Sequence, residues 1–170
     1  MLIVFGGLPG SGKTTIARAL AERLDGTYVR LDTIEQALRN SGMLRGDVGP
    51  AGYMAAYGVA GDNLKLGKTV IADSVNPISI TREAWRQVAQ RAAVSVIEVE
   101  VICSDKMEHR RRVEARQTDI EGHVNPTWNE VVTRNYDNWG PGPVVVDTAL
   151  NAADDIVTEL VDRLRATGPR

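Results

Sequence analysis

The sequence predicts an α/β fold in which helices cover both faces of a parallel β-sheet. Short runs rich in β-branched residues alternate with segments whose apolar residues recur at helical spacing, and this alternation is typical of βαβ units. The chain has 170 residues, 43% of them hydrophobic, which suffices for one domain with a sizeable core. The predicted strands are 2–5, 28–31, 69–72, 94–102 and 144–146.

Composition narrows the class of protein. The 20 basic and 22 acidic residues give a net charge of -2, which provides no overall field to attract nucleic acid or an anionic membrane. The single cysteine, Cys103, cannot form an internal disulfide, and this favours a reducing compartment. The first residues, MLIVFGG, lack the charged region and cleavage site of a secretory signal. We therefore expect a cytoplasmic protein without a membrane partner; the pattern predicts no particular oligomeric state.

The first strand leads into the most specific motif of the chain. The segment GLPGSGKT, Gly7 to Thr14, matches G-x-x-x-x-G-K-[ST] between a strand and an amphipathic helix. Glycines let successive backbone N–H groups converge on phosphate oxygens, and the helix N-terminus adds attraction. Lys13 is predicted to reach the β- and γ-phosphates, and Thr14 to bind Mg²⁺. The predicted ATP-binding residues are Gly7, Pro9, Gly10, Ser11, Gly12, Lys13, Thr14 and Thr15.

The second predicted strand is followed by Asp32, a candidate general base. In an open α/β sheet the carboxyl ends of the strands beside the first one face the phosphate site, where a carboxylate can accept a hydroxyl proton. Alternatively, Asp32 caps the next helix. Thr33 and Gln36 form a predicted capping box, which favours the catalytic alternative.

The third predicted strand ends near Asp73, which either binds Mg²⁺ or the acceptor, or forms a turn at the strand end. Asn76 shares this ambiguity. Residues 41–52 are rich in glycine and predict a mobile surface loop. Tyr53 and Tyr57 follow it one helical turn apart, and they either line an acceptor pocket or pack in the core.

The fourth predicted strand precedes an arginine-rich helix that begins with the capping pattern Asp105-x-x-Glu108. At helical spacing Arg112 and Arg116 share one face with His109, so they either grip a phosphate chain or form a solvated face. A further helix is predicted over 127–139 with an apolar stripe, and His123 is predicted to be a solvated loop residue.

Gly7 to Thr14 resembles the Walker A element of P-loop NTPases. The chain lacks the N-K-x-D and L-S-G-G-Q sequences of other branches, which leaves the nucleotide-kinase-like branch. Together with Asp32, the patterns Asp73-x-x-Asn76 and Arg112-x-x-x-Arg116 are most similar to the kinases that resemble polynucleotide kinase, zeta toxin and chloramphenicol phosphotransferase. The resemblance implies a single three-layer domain over 1–170, sheet order 2-3-1-4-5, and a lid over about 105–125. It also implies the catalytic residues Lys13, Asp32, Arg112 and Arg116.

One departure from these relatives bears on the acceptor. Polynucleotide kinases carry an arginine three residues after the base to bind a phosphate of the acceptor, and this chain has Glu35 there. A carboxylate repels phosphate but suits hydroxyl or amino groups. Glu35, Tyr53, Asp73 and Asn76 are therefore predicted to bind a sugar, nucleoside or aminated natural product, with ATP and Mg²⁺ as cofactors and no nucleic-acid partner. The alternatives are a polynucleotide 5′-hydroxyl kinase and an NTP-binding regulatory switch.

Overall fold

The computed structural model describes residues 1–44 and 46–167, and each predicted strand is found within two residues of its expected ends. The strands are β1 (Leu2–Gly6), β2 (Thr27–Arg30), β3 (Val70–Asp73), β4 (Val96–Ile102) and β5 (Val144–Asp147). The helices are α1 (Lys13–Arg23), α2 (Leu31–Asn40), α3 (Ala51–Lys65), α4 (Ser79–Arg91), α5 (Lys106–Ala115), α6 (Trp128–Val132) and α7 (Ala153–Thr167).

The strands form a parallel sheet in the order β2-β3-β1-β4-β5, which confirms the expected topology. The central strand β1 is buried along its whole length, with Leu2 opposite Val70 on one side and Val96 on the other. Strands buried on both faces read as continuous apolar runs, and the LIVF sequence of β1 is one. Since strand order reverses beside β1, a ligand is expected at its carboxyl end.

Helices cover the two faces of the sheet and give three layers. On one face α1 and α7 pack on the sheet, for example through Leu20 and Leu160. On the other face α3 and α4 do so through Leu64 and Trp85. No helix in the described ranges is long and apolar enough to cross a bilayer.

The helix predicted over 127–139 is shorter than expected. It begins at the predicted capping box of Thr127 and Glu130, but α6 ends at Val132. The following residues are drawn onto the sheet because the Tyr136 hydroxyl donates to Glu100 at 3.2 Å and Trp139 packs against Gly6.

The glycine-rich segment predicted over 41–52 also ends earlier than expected, since Ala51 begins α3. Residues 41–44 and 46–50 have no helix or strand, as predicted, and Arg45 lies outside the described residues. The prediction of a loop is therefore confirmed for its described part up to residue 50.

Candidate active site

The phosphate-binding loop joins β1 to α1 and needs glycine at several positions. Gly7, Gly10 and Gly12 have φ angles of 141°, 82° and 94°, a region that favours glycine. Gly12 occupies the N-cap of α1 and provides no capping side chain. The first N–H groups of α1 are thus free of a side-chain cap and available to an anion.

Side chains from other elements hold the backbone of this loop in place. Because a carbonyl only accepts, His109 Nε2 donates to the Pro9 oxygen, at 2.9 Å. The Thr148 hydroxyl donates to the Ser11 oxygen at 2.7 Å and accepts from Arg112 Nη1 at 2.7 Å. These contacts fix the shape of the loop from α5 and from the chain after β5.

Asn76 supports the same region from within the protein. Its amide Nδ2 donates to the Phe5 oxygen at 2.8 Å, and its Oδ1 accepts from Trp85 Nε1 at 3.2 Å. Asn76 has 0% exposure and a φ of 49°. Its predicted contact with a substrate finds no support in this placement, because both polar side-chain atoms are engaged inside the protein. Asn76 instead positions the end of β1.

A cleft of about 460 Å³ follows the exposed side of the phosphate loop. The loop contributes Gly10, Gly12, Lys13, Thr14 and Thr15 to its lining, and four arginines line it as well. Such a concentration of positive charge suits a triphosphate. The predicted ATP-binding residues Gly7, Pro9 and Ser11 do not line this cleft; Ser11 is 1% exposed and Pro9 faces the neighbouring cavity.

One carboxylate also lies in the cleft and ties the chain after α5 to the core. We call residues 116–127 the lid loop. Its Asp119 accepts from Arg18 at 2.7 Å and from Arg30 at 2.9 Å. These bonds, that from Arg18 foremost, lower the pKa of Asp119 to about 2. The lid loop is thereby attached to α1 and β2.

Lys13 and Asp73 meet below the cleft. Lys13 Nζ lies 4.0 Å from Asp73 Oδ1, and the two side chains are only 5% and 2% exposed. The Tyr28 hydroxyl donates to Asp73 Oδ2 at 2.7 Å, and burial, followed by the charge of Asp73, raises the pKa of Tyr28. Asp73 is therefore kept as an oriented carboxylate beside the phosphate loop.

Mg²⁺ fits this site only together with phosphate. In residues 1–44 and 46–167 no group of three or more His, Cys, Asp or Glu side chains could hold a metal ion. Asp73 provides one carboxylate and Thr14, which lines the cleft, one hydroxyl. Since Mg²⁺ is commonly bound by one or two protein oxygens plus phosphates and water, both residues suit a nucleotide-bound ion.

The two predicted catalytic arginines, Arg112 and Arg116, are held in different ways. Arg112 donates to Glu108 at 2.7 Å as well as to Thr148. Arg116 lies beyond the end of α5 with extended backbone angles, φ -66° and ψ 123°. The prediction that both share a helical face with His109 is wrong because the helix ends at Ala115. Both still line the cleft, and in the described chain no side chain pairs with the Arg116 guanidinium.

Asp32 lies in the first turn of α2 rather than at the end of β2. The helix begins at Leu31 with Arg30 at the N-cap, so the predicted capping box at Thr33 is not formed. Gln36 instead donates to Asn40 at 2.7 Å. Asp32 makes no capping hydrogen bond, and no side chain within the described ranges pairs with its carboxylate. The capping alternative is thus excluded, and the carboxylate is available for chemistry.

Asp32 faces a second cavity, of about 620 Å³, between α2, α3, the chain after β3 and the lid loop. We call it the acceptor cavity. Glu35 lies in it half-buried, 3.5 Å from Arg39, and burial raises the pKa of Glu35. Tyr53 also lines it, and burial raises the pKa of Tyr53 to about 12. The second tyrosine of the pair, Tyr57, packs edge-on against Trp85 at 4.6 Å in the core.

Lys13 and Arg116 line both the phosphate cleft and the acceptor cavity. The two spaces therefore meet at a pair of cations, one from the phosphate loop and one from the lid loop. Groups bound in the two spaces would therefore approach each other beside these two side chains.

Sequence reasoning missed several residues of this site. Thr148 follows β5 at the same edge of the sheet as Asp73. Since the carboxyl ends of the strands face the phosphate site, its position in the sequence already indicates a place near that site. His123 was predicted to be solvated but lines the acceptor cavity with Asn125 and Arg134. Their places depend on the course of the lid loop, which no local pattern predicts.

Comparison with known proteins bears on the family and the fold of the chain. A family model described as "AAA domain" matches residues 2–132. An inferred kinase of Chloroflexus aurantiacus j-10-fl has a similar structure, with TM-score 0.75 and 22% identity over 98% of this chain and 97% of that one. The APS kinase CysC of Mycobacterium tuberculosis, in complex with AMPPNP and APS, gives 0.70 and 20% over 96% of both chains.

A gluconokinase from Sinorhizobium meliloti 1021 gives a TM-score of 0.61 and 19% identity, over 98% of this chain and 97% of that one. A search of curated proteins found no significant match. At these identities the structural likenesses show a shared fold, and the family match extends over most of the chain.

Proposed function

Because the chain belongs to the AAA domain family, within the nucleotide-kinase-like branch of the P-loop NTPases, we propose that it transfers the γ-phosphoryl group of ATP to a hydroxyl of a polar small molecule. The observation that supports this most is the junction of the phosphate cleft and the acceptor cavity at Lys13 and Arg116. An unpaired carboxylate, Asp32, lies on the acceptor side of that junction. Donor, acceptor and base can therefore converge there.

In the proposed reaction the acceptor oxygen forms a bond to the γ-phosphorus, while the bond from that phosphorus to the β–γ bridging oxygen breaks. ADP leaves with the electron pair, and the hydroxyl proton passes to Asp32. Lys13 and Arg116 stabilise the charge on the transferred group, which is the main catalytic task in phosphoryl transfer. Mg²⁺, held by Thr14 and Asp73, would neutralise phosphate charge.

The acceptor cavity suits a small molecule. Its volume of about 620 Å³ lies in the range of small-ligand sites, roughly 300–1,000 Å³. Glu35 disfavours a phosphate at the position where polynucleotide kinases bind one, and the net charge of -2 gives no support for a nucleic-acid partner. APS kinase and gluconokinase, two of the structural neighbours, also have small acceptors by name. The proposal places the enzyme in the cytoplasm.

A screen with radiolabelled ATP tests the proposal. The purified protein is incubated with pooled sugars, nucleosides and aminated natural products, and separately with a 5′-hydroxyl oligonucleotide. We expect a labelled small molecule. The matched control is Asp32→Asn, which keeps the shape and removes the base. Turnover should fall about 10²–10⁴-fold while ATP still binds, because general-base catalysis typically contributes that much.

Each other outcome has a defined meaning. If Asp32→Asn keeps most of its transfer at saturating acceptor, Asp32 is not the base. A labelled oligonucleotide would favour the polynucleotide kinase alternative. Slow ATP hydrolysis that no acceptor changes would instead favour the regulatory switch.

A further inference from the structure

Two polar atoms of the lid loop are buried without a partner. They are Nδ1 of His123 and Oδ1 of Asn125, and no hydrogen-bonding group of the described chain reaches either one. Both residues line the acceptor cavity. Because buried polar groups are nearly always paired, two unpaired atoms from neighbouring residues on one cavity wall require an explanation.

The other polar atoms of these residues show why the loop does not simply turn to satisfy them. Asn125 Nδ2 donates to the Arg116 oxygen at 2.9 Å, which fixes the amide with its oxygen unpaired. The backbone N–H of His123 donates to the Ile120 oxygen at 3.1 Å in a turn through Gly122, whose φ is 79°. The Asn125 amide and the His123 backbone are thus held in place by contacts that leave Oδ1 of Asn125 and Nδ1 of His123 without a partner.

His123 shares the acceptor cavity with the predicted base Asp32 and with Arg39 and Arg116. The charged groups that act on its ring are Asp32 and Arg39 from α2, Arg116 from the end of α5, and Arg30 from β2. Burial, the largest influence, lowers the pKa of His123 and so favours the neutral ring. A neutral imidazole offers one donor and one acceptor nitrogen.

We propose that His123 and Asn125 bind the phosphoryl acceptor directly through Nδ1 and Oδ1, and that the acceptor is a neutral molecule with several hydroxyl groups. The inference rests on the proposed function and narrows its acceptor class. It assigns to the lid loop the half of the acceptor site that faces Asp32.

The chemistry of the two atoms favours hydroxyl groups. Asn125 Oδ1 accepts only, while His123 Nδ1 accepts or donates according to the tautomer, and a hydroxyl can serve both. An ammonium group would lie close to Arg39 and Arg116, and an anionic group close to Asp32 and Glu35. A neutral polyol avoids both repulsions.

The lid loop then acts in acceptor binding as well as in covering ATP. Both atoms are covered in the present arrangement, so an acceptor reaches them through a small shift of residues 122–126. Since Asn125 Nδ2 donates to the Arg116 oxygen, a shift of Asn125 on acceptor binding also influences the position of Arg116 over the cleft. Acceptor choice and completion of the phosphate site are thereby linked.

The test uses the acceptor found in the radiolabelled screen and measures initial rates for His123→Ala and Asn125→Ala. We expect each variant to raise the KM for the acceptor about tenfold or more, with a much smaller change in the KM for ATP. Asn135→Ala is the matched control, because Asn135 is exposed and does not line the acceptor cavity. Deoxy and amino analogues of the acceptor should bind wild-type protein more weakly.

A second measurement does not depend on turnover. The chain has 2 histidines, so their ring signals in an NMR spectrum are assigned with one variant, His123→Gln. The acceptor should shift the His123 signals without ATP. Unchanged acceptor KM in both variants, or an unmoved His123 signal, would overturn the inference while leaving the kinase proposal in place. If wild-type protein labels no acceptor, the proposed function itself is wrong.

Discussion

The phosphate loop and the acceptor cavity lie side by side but are built differently. The carbonyls of Pro9 and Ser11 in the phosphate loop are held by side chains from distant elements, at 2.9 Å and 2.7 Å. In the acceptor cavity Asp32, Arg116 and two lid-loop atoms have no side-chain partner in the described chain. The backbone of the phosphate loop is thus held in shape without a ligand, although Ser11 Oγ is buried there without a partner, whereas the acceptor cavity keeps unpaired side-chain groups for a ligand.

This difference separates a general task from a specific one. A triphosphate has the same shape for every kinase. A rigid loop of backbone amide groups with one lysine is therefore enough to bind it, and this loop needs no reorganisation during the reaction. An acceptor must be distinguished from similar molecules, which requires polar groups that would be left unpaired by the wrong one. The unpaired groups of the acceptor cavity are therefore expected to determine specificity.

The largest expected effect tests the residue shared by both regions. Arg116→Ala should lower kcat by about 10³–10⁵, or roughly 4–7 kcal/mol, because arginines that stabilise the transferred group supply that much. ATP affinity should change far less, since Lys13 and the loop amides remain. Steady-state kinetics and calorimetry with ATP measure the two quantities separately.

Two arginines of α5 serve as comparisons. Arg110→Ala removes an exposed side chain paired with Glu114 at 2.8 Å and should leave kcat within a factor of about two. Arg112→Ala removes the bonds to Thr148 and should weaken ATP binding as well as turnover. If Arg116→Ala and Arg110→Ala behave alike, Arg116 does not join the two regions.

The contrast also explains which features could be predicted from the sequence. The phosphate loop is local: eight consecutive residues determine its turn, its lysine and its helix, so GLPGSGKT sufficed. The sheet order followed from the resemblance together with alternating strands and helices. Both rest on short-range patterns or on a topology shared by the family.

The surroundings of the phosphate loop and the attachment of the lid loop depend on long-range contacts that no spacing in the sequence shows. Tyr28 and Asp73 are 45 residues apart, and Arg30 and Asp119 are 89 apart. The helix predicted over 127–139 failed for the same reason, because the contacts of Tyr136 and Trp139 with the sheet outweigh helical propensity. Asn76 was assigned to substrate because polarity at a strand end does not show which way a side chain faces.

A second prediction tests whether the phosphate loop depends on its packing. A Cβ at Gly6 would overlap the ring of Trp139, which is 7% exposed. Gly6→Ala should therefore destabilise the protein by about 1–3 kcal/mol, as overpacking of a core does, and weaken ATP binding. Urea unfolding measures the first effect and calorimetry the second.

The double variant Gly6→Ala/Trp139→Ala tests whether overlap with the Trp139 ring causes the loss of stability. Trp139→Ala alone should cost about 3–5 kcal/mol through the cavity it leaves. With the ring removed, the added methyl group of Gly6→Ala meets no obstacle, so the double variant should be no less stable than Trp139→Ala alone. Simply additive costs would show that Gly6 is needed for another reason.

The smallest expected effect concerns the attachment of the lid loop. Asp119→Asn weakens the bonds to Arg18 and Arg30, and since the Asp119 side chain is 52% exposed, solvent limits the loss of stability to about 1 kcal/mol or less. The pKa of Asp119 is lowered from 3.8 to about 2 in the folded protein. Its contribution is therefore complete above pH 4 and is lost as the pH falls towards 2.

Wild type and variant should differ most at pH 7 and converge progressively below pH 4, as measured by urea unfolding at a series of pH values. Asp62→Asn removes a similar pair at 3.6 Å whose side chains are 64% and 79% exposed, and it should have almost no effect at pH 7. If the gap for Asp119→Asn persists unchanged to pH 2, the ion pair does not hold the lid loop. In that case packing alone would attach the lid loop, and a change in the charge of Asp119 would not alter how firmly the loop is held.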